Sequence, residues 1–127
     1  FAISKKIPSG LGALFYRQKK PQGTPSYMAP EQILKHKPDP RSDVYSLGAT
    51  FFETVTGRPP FRGASIQDLL SKHFTEKPSS PQIYVKDLTD EFSALVMKML
   101  AKKKEDRPAS CHDVLMTLRK IKIYKGD

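Results

Sequence analysis

The sequence predicts a mainly α fold with an irregular front, and three observations carry that expectation. Apolar residues recur at helical spacing in separate stretches beyond residue 40. Those stretches open on residues able to cap a helix and close on glycine, proline or lysine. The first 30 residues, by contrast, carry Gly10, Gly12, Gly23 and several prolines with few periodic apolar positions.

Taken in order, the front segment is expected to be a long irregular loop, a kind of segment that is usually functional or mobile. Glu31 to His36 reads as a short helix opened by Pro30 and ended by Lys37-Pro38-Asp39-Pro40. Over residues 42–56, Val44, Tyr45, Leu47, Ala49, Phe51, Phe52 and Val55 point in nearly every direction around a helix, so this helix must be buried on most sides. Ser42 and Asp43 suit its first turn, and Gly57 followed by Pro59-Pro60 stops it. Ser65 to Asp68 has the spacing of a capping box, ahead of an amphipathic surface helix bearing Ile66, Leu69, Leu70, His73 and Phe74.

Residues 75–87, with Pro78 and Pro81, read as a linker. Thr89 or Asp90 can cap the next helix, whose Phe92, Leu95, Val96, Met99 and Leu100 follow one stripe, with Lys102-Lys103-Lys104 at its positive-favouring end. A last helix starts at Ser110, with Asp113 completing a box, and is expected to bury Val114, Leu115, Leu118 and Ile121. No internal repeat is present.

The 127 residues suit one domain. Lysine and arginine total 22 against 13 acidic residues, a net charge of +9 that favours acidic partners without naming one. With 38% hydrophobic residues, five tyrosines and seven phenylalanines, the chain is too apolar for a disordered tail. Cys111 is the single cysteine, which excludes an internal disulfide framework and fits a reducing, cytoplasmic setting. Charge-free stretches such as Val44 to Phe52 fall far short of the roughly 20 apolar residues of a membrane span. The start at Phe1, without a signal-peptide pattern, reads as an excised piece of a longer chain.

Basic residues at Lys35, Lys37, Lys102 to Lys104 and Arg119 to Lys125 are expected on solvated helix faces, because no aromatic residues alternate with them as in a nucleic-acid stacking platform. His36, His73 and His112 have no carboxylates at metal-ligand spacing and read as structural or surface residues, so no metal site is expected. Cys111 reads as a helix-start or core residue.

One run stands apart: Gly23-Thr24-Pro25-Ser26-Tyr27-Met28-Ala29-Pro30-Glu31-Gln32, containing Ala-Pro-Glu. After it come Asp43-Val44-Tyr45-Ser46-Leu47-Gly48, Gly57-Arg58-Pro59-Pro60-Phe61 and Arg107-Pro108. In that order and at those intervals the chain resembles the C-terminal half of a protein kinase from the activation segment onward. The run Ser42 to Thr50 is similar to bacterial-type serine/threonine kinases. The resemblance implies a kinase-like C-lobe, with residues 1–31 as activation segment and substrate loop and 32–127 as the helical remainder. Phe1-Ala2 would continue an Asp-Phe-Gly metal motif, with alanine where the family has glycine.

The same resemblance implies roles. Gly23, Thr24, Pro25, Ser26, Tyr27 and Met28 would form the wall under the substrate residue that follows the phosphorylated one. Thr24 would orient the catalytic aspartate and mark serine/threonine specificity. Glu31 and Arg107 would pair as a brace, with Ala29 and Pro30 structural beside them and Asp43 accepting hydrogen bonds from the catalytic loop. Glu53 falls where some kinases hold a substrate arginine, an ordinary helix glutamate being the other reading.

Between Leu11 and Gln22 only Tyr16 carries a hydroxyl, while Arg17, Lys19 and Lys20 make the segment basic. A phosphate that would order it has no serine or threonine acceptor there, so packing or an acidic partner would have to do so, if anything does. The glycine-rich loop, strand lysine, catalytic-loop His-Arg-Asp and metal-binding aspartate of the family are not in this sequence. ATP and Mg2+ are therefore expected to serve the intact kinase, none being bound by the chain alone, which should not transfer phosphate. A large apolar face of helix 42–56 would need cover from the rest of the kinase domain or a second chain. A protein substrate is the implied partner, for an active serine/threonine kinase or, in the other class, a non-catalytic kinase-like scaffold.

Overall fold

The computed structural model of this chain describes residues 24–126. Five α-helices follow one another within them: α1 (Pro30–Ile33), α2 (Pro40–Thr56), α3 (Ile66–Thr75), α4 (Asp90–Met99) and α5 (Cys111–Leu118). Short 3-10 turns occupy Thr24–Ser26, Pro81–Ile83 and Lys104–Asp106. Among the described residues there is no strand, only an isolated antiparallel bridge between Leu88 and Tyr124.

The caps explain where the helices start. Asp39, not Ser42, opens α2: its carboxylate accepts the Arg41 N–H at 2.8 Å, pairs with the Arg41 guanidinium at 2.9 Å and lies 3.6 Å from Lys104. Hydrogen bonds from Arg41 hold the Asp39 carboxyl far below the usual carboxylate range. Pro40 is therefore the first helical residue rather than a stop, the position at which a missing N–H costs nothing. α1 is correspondingly shorter than expected, because Lys35 turns left-handed at φ 60° and the His36 N–H closes onto the Glu31 carbonyl at 3.0 Å.

Ser65, Thr89 and Ser110 each accept the backbone N–H three residues on, and Gly57, at φ 79°, ends α2 as its sequence position requires. The return half of the Ser65 box is displaced by one residue: Asp68 accepts from the Ala64 N–H.

α2 is the core. Tyr45, Ala49 and Phe52 pack with Leu88, Phe92, Val96 and Leu100, while Val44 and Leu47 pack with Leu95, Met99 and Val114. The chain's own later helices thus cover most of α2, and the large exposed face expected from the sequence is not there; Phe51 and Val55 remain only half-buried. α5 departs from expectation too. Val114 is buried, but Leu115 is 46% exposed, because this eight-residue helix meets α2 along one side only, and Ile121 lies past its end. The presumed linker 75–87 carries the Pro81–Ile83 turn, fixed by Gln82, whose amide donates to the Leu88 carbonyl and Asp90. The tail after α5 lies across the start of α4, with the Thr89 N–H bonded to the Ile123 carbonyl at 2.9 Å and the Lys125 N–H to that of Asp87 at 2.8 Å.

α2 and α4 approach closely because Gly48 has no side chain: a Cβ there would lie 2.7 Å from the Met99 Cβ. Helix propensity favours alanine over glycine by about 1 kcal/mol, yet Gly48→Ala is expected to destabilise the chain by about 1–3 kcal/mol through overpacking. A urea titration checks it, and unchanged stability would mean that the two helices do not meet at this glycine.

Candidate functional site

One stripe of α2 grips the segment that precedes α1. Ser42, Ser46, Ala49 and Glu53 recur at intervals of four, three and four, which puts them on one face. Ser46 Oγ donates to the Tyr27 carbonyl at 2.7 Å, the Tyr27 hydroxyl donates to Glu53 Oε1, and Ser42 Oγ donates to Glu31 Oε2 at 2.5 Å. Between these polar contacts Ala29, fully buried, joins the core cluster that includes Ala49 and Tyr45. Gln32 Oε1 accepts the Ala29 N–H at 2.9 Å and squares off the start of α1. Burial, then the hydrogen bond to the Glu53 carboxylate, pushes the Tyr27 hydroxyl well above the usual phenol range, so it remains a donor.

Glu31 and Arg107, 76 residues apart, meet in a buried two-pronged pair: Nη1 to Oε2 at 2.7 Å and Nη2 to Oε1 at 2.9 Å. The remaining guanidinium donors go to the carbonyls of Arg41, Lys102 and Ala101 at 2.9, 3.1 and 2.8 Å, so all five have acceptors. The guanidinium also lies 4.9 Å from the centroid of the Tyr45 ring. Burial raises the Glu31 carboxyl, but the hydrogen bonds from Arg107 and Ser42 outweigh it and hold the group below its ordinary value. The pair ties together the start of α1, the first turn of α2 and the loop after α4.

Behind this pair lies a second polar cluster. The Tyr45 hydroxyl and His73 Nδ1 are 2.7 Å apart, and His73 Nε2 has no hydrogen bond of ordinary geometry. Phe61 packs edge-on against the imidazole with ring centroids 5.1 Å apart. Burial, then the nearby Lys102 ammonium, pushes His73 down to about 4, so it is neutral at physiological pH. His73 is thus a buried structural residue, whereas His36 and His112 are exposed.

Asp43 is half-buried at the start of α2, and its carboxylate makes no hydrogen bond within the described residues. Burial, then the charge of Asp39, raises its carboxyl above the ordinary value. It opens on a groove of about 910 Å³ lined also by Pro25, Met28, Ile33, Ile66 and Leu70. No cluster of three histidine, cysteine or acidic residues able to hold a metal ion occurs among the described residues, and none of their helices is long and apolar enough to cross a membrane.

Of the residues singled out by sequence, the structure joins Glu31 to Arg107 and Tyr27 to Glu53, buries Pro25, Ala29 and Pro30, and leaves Ser26 and Met28 half-buried near them. Asp43 lies on the groove, apart from the ion pair. Gly23, the Thr24 side chain, Phe1-Ala2, Tyr16, Arg17, Lys19 and Lys20 lie outside the described residues. Sequence reading alone puts Ser42 in a first turn and gives Ser46 no role; small polar residues four apart along an otherwise apolar helix are the signal that marks both.

The model of the protein kinase domain matches residues 1–117. Serine/threonine-protein kinase PknB of Mycolicibacterium smegmatis is 38% identical over 104 residues, 82% of this chain and 16% of that protein. PknB of Mycobacterium tuberculosis strain H37Rv is 36% identical over 105 residues, 83% of this chain and 16% of that protein. A probable serine/threonine-protein kinase of Streptomyces coelicolor is 37% identical over 92 residues, 72% and 14% of the two chains. The chain spans about one sixth of the length of these relatives.

Proposed function

We propose that this chain, which belongs to the protein kinase family, forms the activation-segment and peptide-platform part of a serine/threonine protein kinase that transfers the ATP γ-phosphate to serine or threonine of proteins. The observation that carries this reading is the one-sided grip of α2 on residues 27–31, completed by the buried Glu31–Arg107 pair. Phosphoryl transfer depends mainly on positioning, so a platform for the acceptor peptide has to be rigid.

In this reading residues 1–31 are the activation segment and substrate loop, and residues 32–127 the helical remainder of the lobe. Gly23 to Met28 line the floor beneath the incoming peptide, and Thr24 orients the catalytic aspartate of the intact kinase. Tyr27 holds one oxygen of Glu53, and the other is left for a basic side chain of the peptide. Asp43, unpaired on its groove, takes backbone N–H groups of the catalytic loop, and the remainder of the kinase domain covers that groove. ATP and Mg2+ serve the intact kinase. The lone Cys111 fits a reducing, cytoplasmic setting for this lobe.

Joining the chain to the upstream catalytic half of a PknB relative and assaying transfer of labelled γ-phosphate to a protein substrate tests this. The chimera is expected to phosphorylate serine or threonine and the chain alone to transfer nothing. Thr24→Val is expected to lower the chimera's rate about ten- to hundredfold, as a misplaced catalytic group does, while Thr24→Ser keeps most of it. Full activity in Thr24→Val overturns the role of this residue. A folded chimera without transfer overturns the enzymatic reading and leaves that of a non-catalytic scaffold.

A further inference from the structure

His73, on α3, is fully buried, yet only one of its two ring nitrogens has a hydrogen-bond partner of ordinary geometry. That nitrogen, Nδ1, faces the Tyr45 hydroxyl at 2.7 Å. The hydroxyl has no other partner among the described residues, so it satisfies its proton by donating to Nδ1. Burial, then the Lys102 ammonium, keeps the ring neutral, and its single proton is therefore on Nε2. A buried N–H left without an acceptor forfeits its hydration for nothing in return. The carbonyl of Pro25 acts on the ring as an acceptor, and it belongs to the Thr24–Ser26 turn on which α3 packs. The Phe61 and Tyr45 rings, with centroids 5.1 and 5.7 Å from that of the imidazole, hold its plane.

We propose that His73 is a positioning residue for the substrate loop: its Nε2–H closes onto the Pro25 carbonyl and ties the turn that follows Gly23 to α3. The tie continues inward, because the Tyr45 ring also carries the Arg107 guanidinium 4.9 Å from its centroid. One chain of contacts thus runs from the Glu31–Arg107 pair through Tyr45 and His73 to the residue after Thr24. The effect of this tie on phosphate transfer rests on the platform reading above; the tie itself does not.

Two signals read on the chain itself decide the tie. Long-range proton–nitrogen NMR spectra of the histidine rings at neutral pH are expected to show His73 protonated at Nε2 and bare at Nδ1. The Pro25 carbonyl carbon is expected to move upfield in His73→Leu, which has no donor, and to return toward its natural position in His73→Gln, whose amide nitrogen reaches as far as Nε2. A His73 proton on Nδ1, or a Pro25 carbon that ignores both variants, overturns the proposal. In the chimera with the catalytic half of a PknB relative, His73→Leu is expected to lower kcat/KM for the protein substrate about tenfold, the cost of one hydrogen bond lost from a buried carbonyl. KM for ATP should stay the same, and His73→Gln should recover most of the loss. An active chimera in which His73→Leu changes nothing, or weakens ATP equally, contradicts the positioning role. A natural chimera that transfers no phosphate counts against the platform reading instead, and the tautomer and the carbon shift still decide the tie.

Discussion

Arg107→Ala is expected to destabilise the folded chain by about 3–5 kcal/mol, the cost of stranding the buried partner of an ion pair. Its side chain is fully buried and each of its five donors has an acceptor, two of them the oxygens of Glu31. Removing the guanidinium therefore leaves a buried carboxylate and three carbonyls short of a partner at once. Arg107→Lys is expected to lose most of the same stability, because one ammonium cannot reach both Glu31 oxygens and the carbonyls of Ala101, Arg41 and Lys102. Urea-induced unfolding followed by circular dichroism reads both variants; a loss below about 1 kcal/mol in Arg107→Ala would give the pair no more weight than an exposed one.

Mild acid is expected to weaken the fold through His73. Its imidazole is fully buried and titrates near 4 in the folded chain, against an ordinary value of 6.5. Between those values the unfolded chain binds a proton that the folded chain refuses, so stability falls as pH drops from about 6.5 to about 4, by roughly 3 kcal/mol, and is fully present above that window. Lys102, which faces the imidazole and titrates near 8, stays charged throughout and keeps opposing a second cation. Glu31 and Asp39 are held below their ordinary values, so their contributions are lost at lower pH, as the carboxylates protonate. Unfolding free energies at intervals from pH 7 to 4.5 should decline in the natural chain and stay nearly level in His73→Gln. A flat profile in the natural chain, or the same slope in the variant, contradicts this account.

Local signals made much of the fold legible. Ser65, Thr89 and Ser110 cap helices where their spacing says they should, and Gly57 ends α2 in the left-handed conformation that glycine adopts at least cost. Errors arose where one residue type carries two meanings. Proline both stops and starts helices, and Pro40 starts one because Asp39 is placed to cap it. Leu115 sits on a periodic stripe, yet nearly half of it stays exposed, and periodicity alone does not reveal which helix lies opposite.

The site divides in the same way. The Ala-Pro-Glu run and the distant arginine are visible as motifs, and the buried pair they form is in the structure. The bonds from Ser46 to Tyr27, from Tyr45 to His73 and from Lys102 to Lys72 join residues 19, 28 and 30 positions apart, separations at which helical periodicity is silent. The groove beside Asp43 likewise exists only once α1, α2 and α3 are packed.

A double-mutant cycle between Glu31 and Arg107, using Glu31→Gln, Arg107→Lys and the two combined, tests most directly whether this pair fixes the platform. The account predicts a coupling of about 2 kcal/mol or more in the free energy of unfolding, as befits residues in one buried network. Effects that add to within about 0.5 kcal/mol would contradict it, since the two side chains would then be acting independently.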